Sequence, residues 1–184
     1  MKPALQILYT ALFCSCISLE SCTLSDDPKP KTELEKLPAI TQEGKDTFGC
    51  LVNGKAWFTT SITNATSNYQ LGSLQLSAVI DKPSHQSISI SLLEDIGDPV
   101  LTIGEYDLAP SAEYNPWVGF FISLTCYYGG SSATRDDTID GKLTITRFDK
   151  TIYIISGLFE FTTVHNGCDT LKITNGRFDI RYAP

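Results

Sequence analysis

Phe48-Gly49-Cys50-Leu51-Val52-Asn53-Gly54-Lys55-Ala56-Trp57-Phe58-Thr59 is the stretch that decides the fold. Two runs rich in apolar residues flank Asn53-Gly54, a dipeptide that tolerates positive φ at both centres of a type I′ turn, so residues 48–52 and 55–59 read as a hairpin. The same turn chemistry recurs at Asp140-Gly141, Asn166-Gly167 and Asn175-Gly176. The last of these predicts a closing hairpin of residues 168–174 and 177–182. Between the two hairpins, residues 74–78, 88–92 and 142–146 alternate apolar and polar with period two, the pattern of a strand with one face buried. Residues 118–128 and 151–164 are longer and apolar on both faces, which predicts central strands covered on two sides. No comparable window has apolar residues at helical spacing. The expected fold is all-β: an antiparallel two-layer β-sandwich of about nine or ten strands, with a flattened β-barrel as the alternative.

Working toward the N-terminus, Lys2 precedes an apolar run over 4–19 that is broken by Gln6, Tyr9, Thr10 and Ser15. It is short of the roughly 20 apolar residues of a membrane span and fits a secretory signal. Leu19-Glu20-Ser21-Cys22 resembles a bacterial lipobox, in which the Cys sulfur is acylated before cleavage. Glu20 departs from the small residue usual there, and Cys16 is a rival site with a poor Phe13 three residues before it. The expected organisation is a lipoprotein signal peptide over 1–21, lipidated Cys22 with a flexible tether over 22–46, and one β-sandwich domain over 47–184. Pro28, Pro30 and Pro38 among Lys and Glu give the tether a composition that buries no core. Each buried methylene contributes about 0.8 kcal/mol, so more than one acyl chain is needed for a stable anchor. Ser25-Asp26-Asp27 reads either as solvated linker or as the acidic tag of lipoproteins exported to the cell exterior.

Asp46-Thr47-Phe48-Gly49-Cys50-Leu51-Val52-Asn53-Gly54-Lys55-Ala56-Trp57 resembles the opening of a family of uncharacterised β-rich surface lipoproteins of outer-membrane bacteria. Gly141 to Asp149, Ser156-Gly157-Leu158-Phe159-Glu160-Phe161 and Ile173-Thr174-Asn175-Gly176-Arg177-Phe178-Asp179 resemble its closing blocks. The resemblance covers both ends of the domain and little of residues 60–115. It implies an outer-membrane location and the fold, and it brings no catalytic residues. The same blocks are also what strand geometry alone selects, through bulge glycines, turns and core phenylalanines.

Net charge is −7, and it stays so after loss of residues 1–21, which removes Lys2 and Glu20 together. Such a surface repels phosphates, so no nucleic-acid partner is expected. The chain has two histidines, His85 and His165, both placed in loops, so no catalytic site is expected. Neither a Cys-x-x-Cys nor a His-x-x-x-His spacing occurs, and Asp136-Asp137-Thr138-Ile139-Asp140-Gly141 lacks the alternating ligands of a calcium loop, so neither metal nor cofactor is expected. With Cys22 acylated, Cys50, Cys126 and Cys168 remain in an oxidising compartment. A Cys50–Cys168 bridge is one expectation, and three reduced thiols are the other. Tyr114, Trp117, Tyr127 and Tyr128 form the candidate binding set, since loop aromatics stack on sugars and engage proteins. Anchor, tether and rigid sandwich together suggest a surface binding or adhesion module for glycan or protein. A structural or assembly subunit is the alternative, and an enzyme comes last.

Overall fold

The structure is a computed structural model and describes residues 29–81, 84–92, 101–109, 116–121, 127–128, 138–165 and 167–184. Cys22 and the signal peptide expected over 1–21 lie outside these residues. Eleven strands are described: β1 (Thr47–Val52), β2 (Lys55–Thr59), β3 (Ala65–Gln70), β4 (Ser73–Ile80), β5 (Gln86–Leu92), β6 (Gly104–Asp107), β7 (Trp117–Phe121), β8 (Tyr127–Tyr128), β9 (Thr138–Asp149), β10 (Ile154–Thr163) and β11 (Leu171–Arg181). They form a six-stranded sheet ordered β2-β1-β11-β10-β9-β6 and a five-stranded sheet ordered β3-β4-β5-β7-β8, paired antiparallel throughout. An isolated parallel bridge between Asn68 of β3 and Ala183, just after β11, touches the two sheets together at one corner, but they do not close on each other, so the fold is the sandwich and not the barrel.

Alternation along the strands builds the core. Phe48, Leu143, Ile145, Phe161 and Ile180 come from one sheet and Leu74, Leu76, Ile88, Ile90 and Phe120 from the other, all buried. Trp57 joins the layers: its ring meets Phe120 edge-on at 6.0 Å, and its Nε1 donates to Gln86 Oε1 at 2.9 Å. That bond satisfies the one polar atom of a buried indole.

The Asn53-Gly54 hairpin forms as expected, with φ of 47° and 80°. Asn175-Gly176 does not make a turn. β11 runs straight through it, and the pairing slips there against both neighbours, between Gly49 and Leu51 on β1 and between Phe159 and Phe161 on β10. The dipeptide is a bulge. A hairpin would have given each half one neighbour, whereas the continuous strand is flanked by β1 and β10 along its length. Asp140-Gly141 likewise lies inside β9, where a Cβ on Gly141 would come within 2.6 Å of Phe161 Cβ. Two further glycines are fixed by close approach: a Cβ would stand 2.2 Å from the Thr144 carbonyl at Gly157 and 2.3 Å from the Phe159 carbonyl at Gly176. The expected strand over 118–128 is two strands, β7 and β8, paired with each other. The strand expected over 151–164 begins at Ile154, because Thr151 to Tyr153 turn the chain between β9 and β10.

The largest departure is the segment before β1. Residues 31–46 belong to the compact unit Lys31–Pro184 and are strapped across the outer face of the six-stranded sheet. A single 3₁₀ turn, Leu34–Lys36, opens the strap. Thr32 and Glu35 cap it reciprocally, the Glu35 carboxylate accepting from Thr32 N at 2.7 Å and Thr32 Oγ1 accepting from Glu35 N at 3.3 Å. Glu33 Oε2 accepts from Ala56 N of edge strand β2 at 2.8 Å, so a backbone donor that could pair with another strand is covered. Leu37 is buried, and Pro38 sits where a side chain on Gly49 would meet its Cδ at 2.8 Å. The strap adds no strand to either sheet.

Candidate functional site

Asp179 fixes the strap. Its side chain is buried, and its Oδ1 accepts from Gly44 N at 2.7 Å and Ser156 Oγ at 2.7 Å. Oδ2 accepts from Thr41 Oγ1 at 2.6 Å, Glu43 N at 2.9 Å and Lys45 N at 3.2 Å. Burial pushes this carboxyl up, but the donors from Thr41, Glu43, Ser156 and Gly44 outweigh it and hold the group below the ordinary carboxylate range. Asp46 continues the clamp, accepting from Arg181 Nη1 at 2.8 Å.

The register gives the six-stranded sheet two ends. Thr47 faces Asp179, and Arg181 faces Ile154, which faces Asp149, so these residues mark one end; Asn53-Gly54, Leu171 and Thr163 mark the other. The strap meets the sheet at Ala56, near the Asn53 end, and reaches Asp179 at the Asp149 end. Beside it, Ile40, Lys142, Leu158, Glu160, Asn175 and Arg177 line a groove of about 320 Å³. Its floor carries opposite charges in register, Glu160 against Lys142, and Lys142 also pairs with Glu105 at 3.2 Å.

A second concavity lies at the Asp149 end. Leu101, Thr102, Ile103, Arg147, Phe148, Asp149, Lys150 and Thr151 surround an open bowl of about 650 Å³. Next to it Phe148, Tyr69, Tyr153 and Tyr182 make an aromatic cluster, with Tyr69 on Phe148 at 4.9 Å, Phe148 on Tyr182 at 5.4 Å and Tyr153 on Tyr182 at 5.7 Å. Lys150 Nζ rests over the rings of Tyr69 and Phe148, 5.4 and 5.1 Å from their centroids. Ile103, Ile152 and Tyr153 are exposed around the bowl, and Leu71, two residues after Tyr69, is 92 % exposed at φ 49°.

The candidate aromatics do not assemble as a surface patch where they are described. Tyr128 is buried, its hydroxyl donates to the Asp169 carbonyl at 2.7 Å, and burial pushes its phenol up. It is a core residue with a satisfied tip. Trp117 is half-buried, packed so that a Cβ on Gly119 would lie 2.8 Å from its ring. Tyr114 and the side chain of Tyr127 lie outside the described residues. Sequence reading missed Tyr69, Phe148, Tyr153 and Tyr182, which are far apart along the chain and converge only through strand ends.

The Cys50–Cys168 bridge is not formed. Cys50 is a free thiol buried between β2 and β11, and burial pushes its pKa up; Cys168 is disulfide-bonded, to a sulfur outside the described residues. Cys50 belongs to the packed core, and Cys168 packs against the rim of that same core in the loop before β11. His85 Nδ1 lies 2.8 Å from Asp81 Oδ1 at the β4–β5 turn, and the His165 ring lies edge-on to Tyr128. Among the described residues no cluster of three or more His, Cys, Asp or Glu could hold a metal ion, and no helix is long and apolar enough to cross a membrane. Asp136 and Asp137 lie outside them.

No family model, curated protein or solved structure matches the chain.

Proposed function

We propose that the protein is a lipid-anchored outer-membrane lipoprotein that presents its sandwich as a binding module for glycan or protein. The observation that carries this reading is the placement of the bowl at the Asp149 end, while the strap joins the sheet near the Asn53 end. Between Gly141, level with the strap's first contact, and Asp149, β9 covers about 26 Å. Cys22 precedes Lys31 by a stretch that reaches at most about 30 Å when fully extended. A lipid on Cys22 would therefore tether the module on a short leash attached near the end away from the bowl. The strap makes this presentation stiff, since residues 31–46 carry their load through Asp179 and not through a free coil.

The test has two parts. Mass spectrometry of the mature protein should find an acylated Cys22 at its N-terminus, and Cys22→Ser should release the protein from membranes. The purified full chain should bind members of a glycan array or a defined protein ligand, and binding should fall when bowl residues are altered. An unmodified residue 22 together with an empty array would end the proposal.

A further inference from the structure

We propose that the bowl at the Asp149 end binds a carboxylate-bearing saccharide, an inference that rests on the binding-module reading and names its ligand class. Three observations converge. The walls are fixed before any ligand arrives: the Tyr106 hydroxyl accepts from Thr102 N at 2.9 Å and donates to Thr102 O at 2.8 Å, which pins the 101–103 wall. Opposite it, Asp149 Oδ1 accepts from Thr151 N at 3.0 Å and Ile152 N at 3.2 Å, which pins the turn after β9. A pre-formed concavity loses less ordering entropy on binding, and 650 Å³ falls within the range of about 300–1,000 Å³ typical of small-ligand sites.

Charge supplies the second observation. Arg147 Nη2 and Asp149 Oδ2 are paired at 2.8 Å, so they offer a donor and an acceptor with no net charge. Lys150 has no carboxylate partner among the described residues; its ammonium is held on the faces of Tyr69 and Phe148. In a chain of net charge −7, the described residues that line the bowl carry one excess positive charge, complementary to one carboxylate. The third observation is the lining. Exposed Ile103 and half-buried Phe148, backed by buried Leu101, give an apolar wall for the C–H face of a pyranose, while the threonine hydroxyls and the Arg147–Asp149 pair match sugar hydroxyls that both give and take hydrogen bonds. A bare inorganic anion would have no use for that wall.

The experiment is calorimetric titration of the detergent-solubilised full chain with trigalacturonic acid, a neutral trisaccharide and inorganic phosphate, repeated with Lys150→Gln, Ile103→Ser and Lys172→Gln. The expected result is binding of the acidic sugar only, weakened about tenfold or more by Lys150→Gln and by raised salt, and unchanged by Lys172→Gln outside the bowl. Ile103→Ser, at an exposed position, tests the apolar wall without removing charge. Equal binding of the neutral sugar, full competition by phosphate, or wild-type affinity in Lys150→Gln would overturn the proposal. Binding to anionic vesicles that Lys150→Gln abolishes would overturn it in favour of a lipid surface. If acidic sugars fail while another array member or protein binds, the ligand class is wrong and the binding-module reading survives; if nothing binds, both fall.

Discussion

Replacing Asp179 with Ala removes the acceptor for five donors at once: Thr41 Oγ1, Glu43 N, Gly44 N, Lys45 N and Ser156 Oγ. Two of these bonds, from Gly44 N and Ser156 Oγ, are buried. A buried donor left without a partner costs about 1–3 kcal/mol, so the two together give about 2–6 kcal/mol, while the other three are part-buried and can turn to water in place. We expect Asp179→Ala to lose about 4 kcal/mol, a large share of the roughly 5–15 kcal/mol of a typical domain, and to melt on the order of 10 °C lower. Asp179→Asn keeps one acceptor but turns an NH₂ toward the N–H groups of Glu43 and Lys45, so it should lose a large part of this as well. Chemical denaturation gives the magnitude, and limited trypsin digestion at Lys36 and Lys45 reports the strap directly. Asp179→Ala within 1 kcal/mol of wild type, with strap lysines no more cleavable, would refute the reasoning. The pH dependence has a definite sign. The folded carboxyl is held below its ordinary value, so its contribution is complete above the unfolded pKa of about 3.9 and is lost as pH falls through the lower folded value. Strap cleavage should therefore be flat near neutrality and rise with an acid-stable protease only below about pH 4.

Other outcomes follow from single positions. Gly157→Ala would drive a Cβ to 2.2 Å from the Thr144 carbonyl, backbone that cannot yield without breaking the β9–β10 ladder, so we expect a loss of about 3 kcal/mol or more by urea denaturation; a wild-type midpoint would contradict the packing. Leu71→Asn relieves an exposed leucine held at φ 49° in the β3–β4 turn and should stabilise by about 1 kcal/mol, as a raised midpoint would show. Cys50 should resist thiol reagents in the native protein and react only on unfolding, because it is buried and burial raises its pKa; rapid native labelling at Cys50 would show otherwise.

Local chemistry read correctly wherever local chemistry decides. Asn53-Gly54 forms its hairpin because positive φ is a property of two residues, and residues 88–92 form β5 because period two buries one face. Asn175-Gly176 carries the same dipeptide signal and is a bulge, since its flanks find better pairing with β1 and β10 than with each other. Strap residues 31–46 have a linker's composition and are held in place by side-chain and backbone contacts. One signal was available: Thr32-Glu33-Leu34-Glu35 has the spacing of a capping box, which marks a helical turn inside an otherwise extended segment. The bowl had none, because Thr102, Arg147 and Lys150 are unremarkable singly.

The sequence by itself determined that this chain folds as turns and alternating strands around an apolar interior, since periodicity and turn propensity act over two to about ten residues. Only the tertiary structure decided that residues 31–46 lie on the sheet, that Tyr128 and Cys50 face inward, and that Lys150 sits over Tyr69 and Phe148. The reason is distance along the chain: Asp179 meets Thr41 across a separation of 138 residues and Gly44 across 135, and no local preference encodes a partner that arrives only when β1 and β11 have paired.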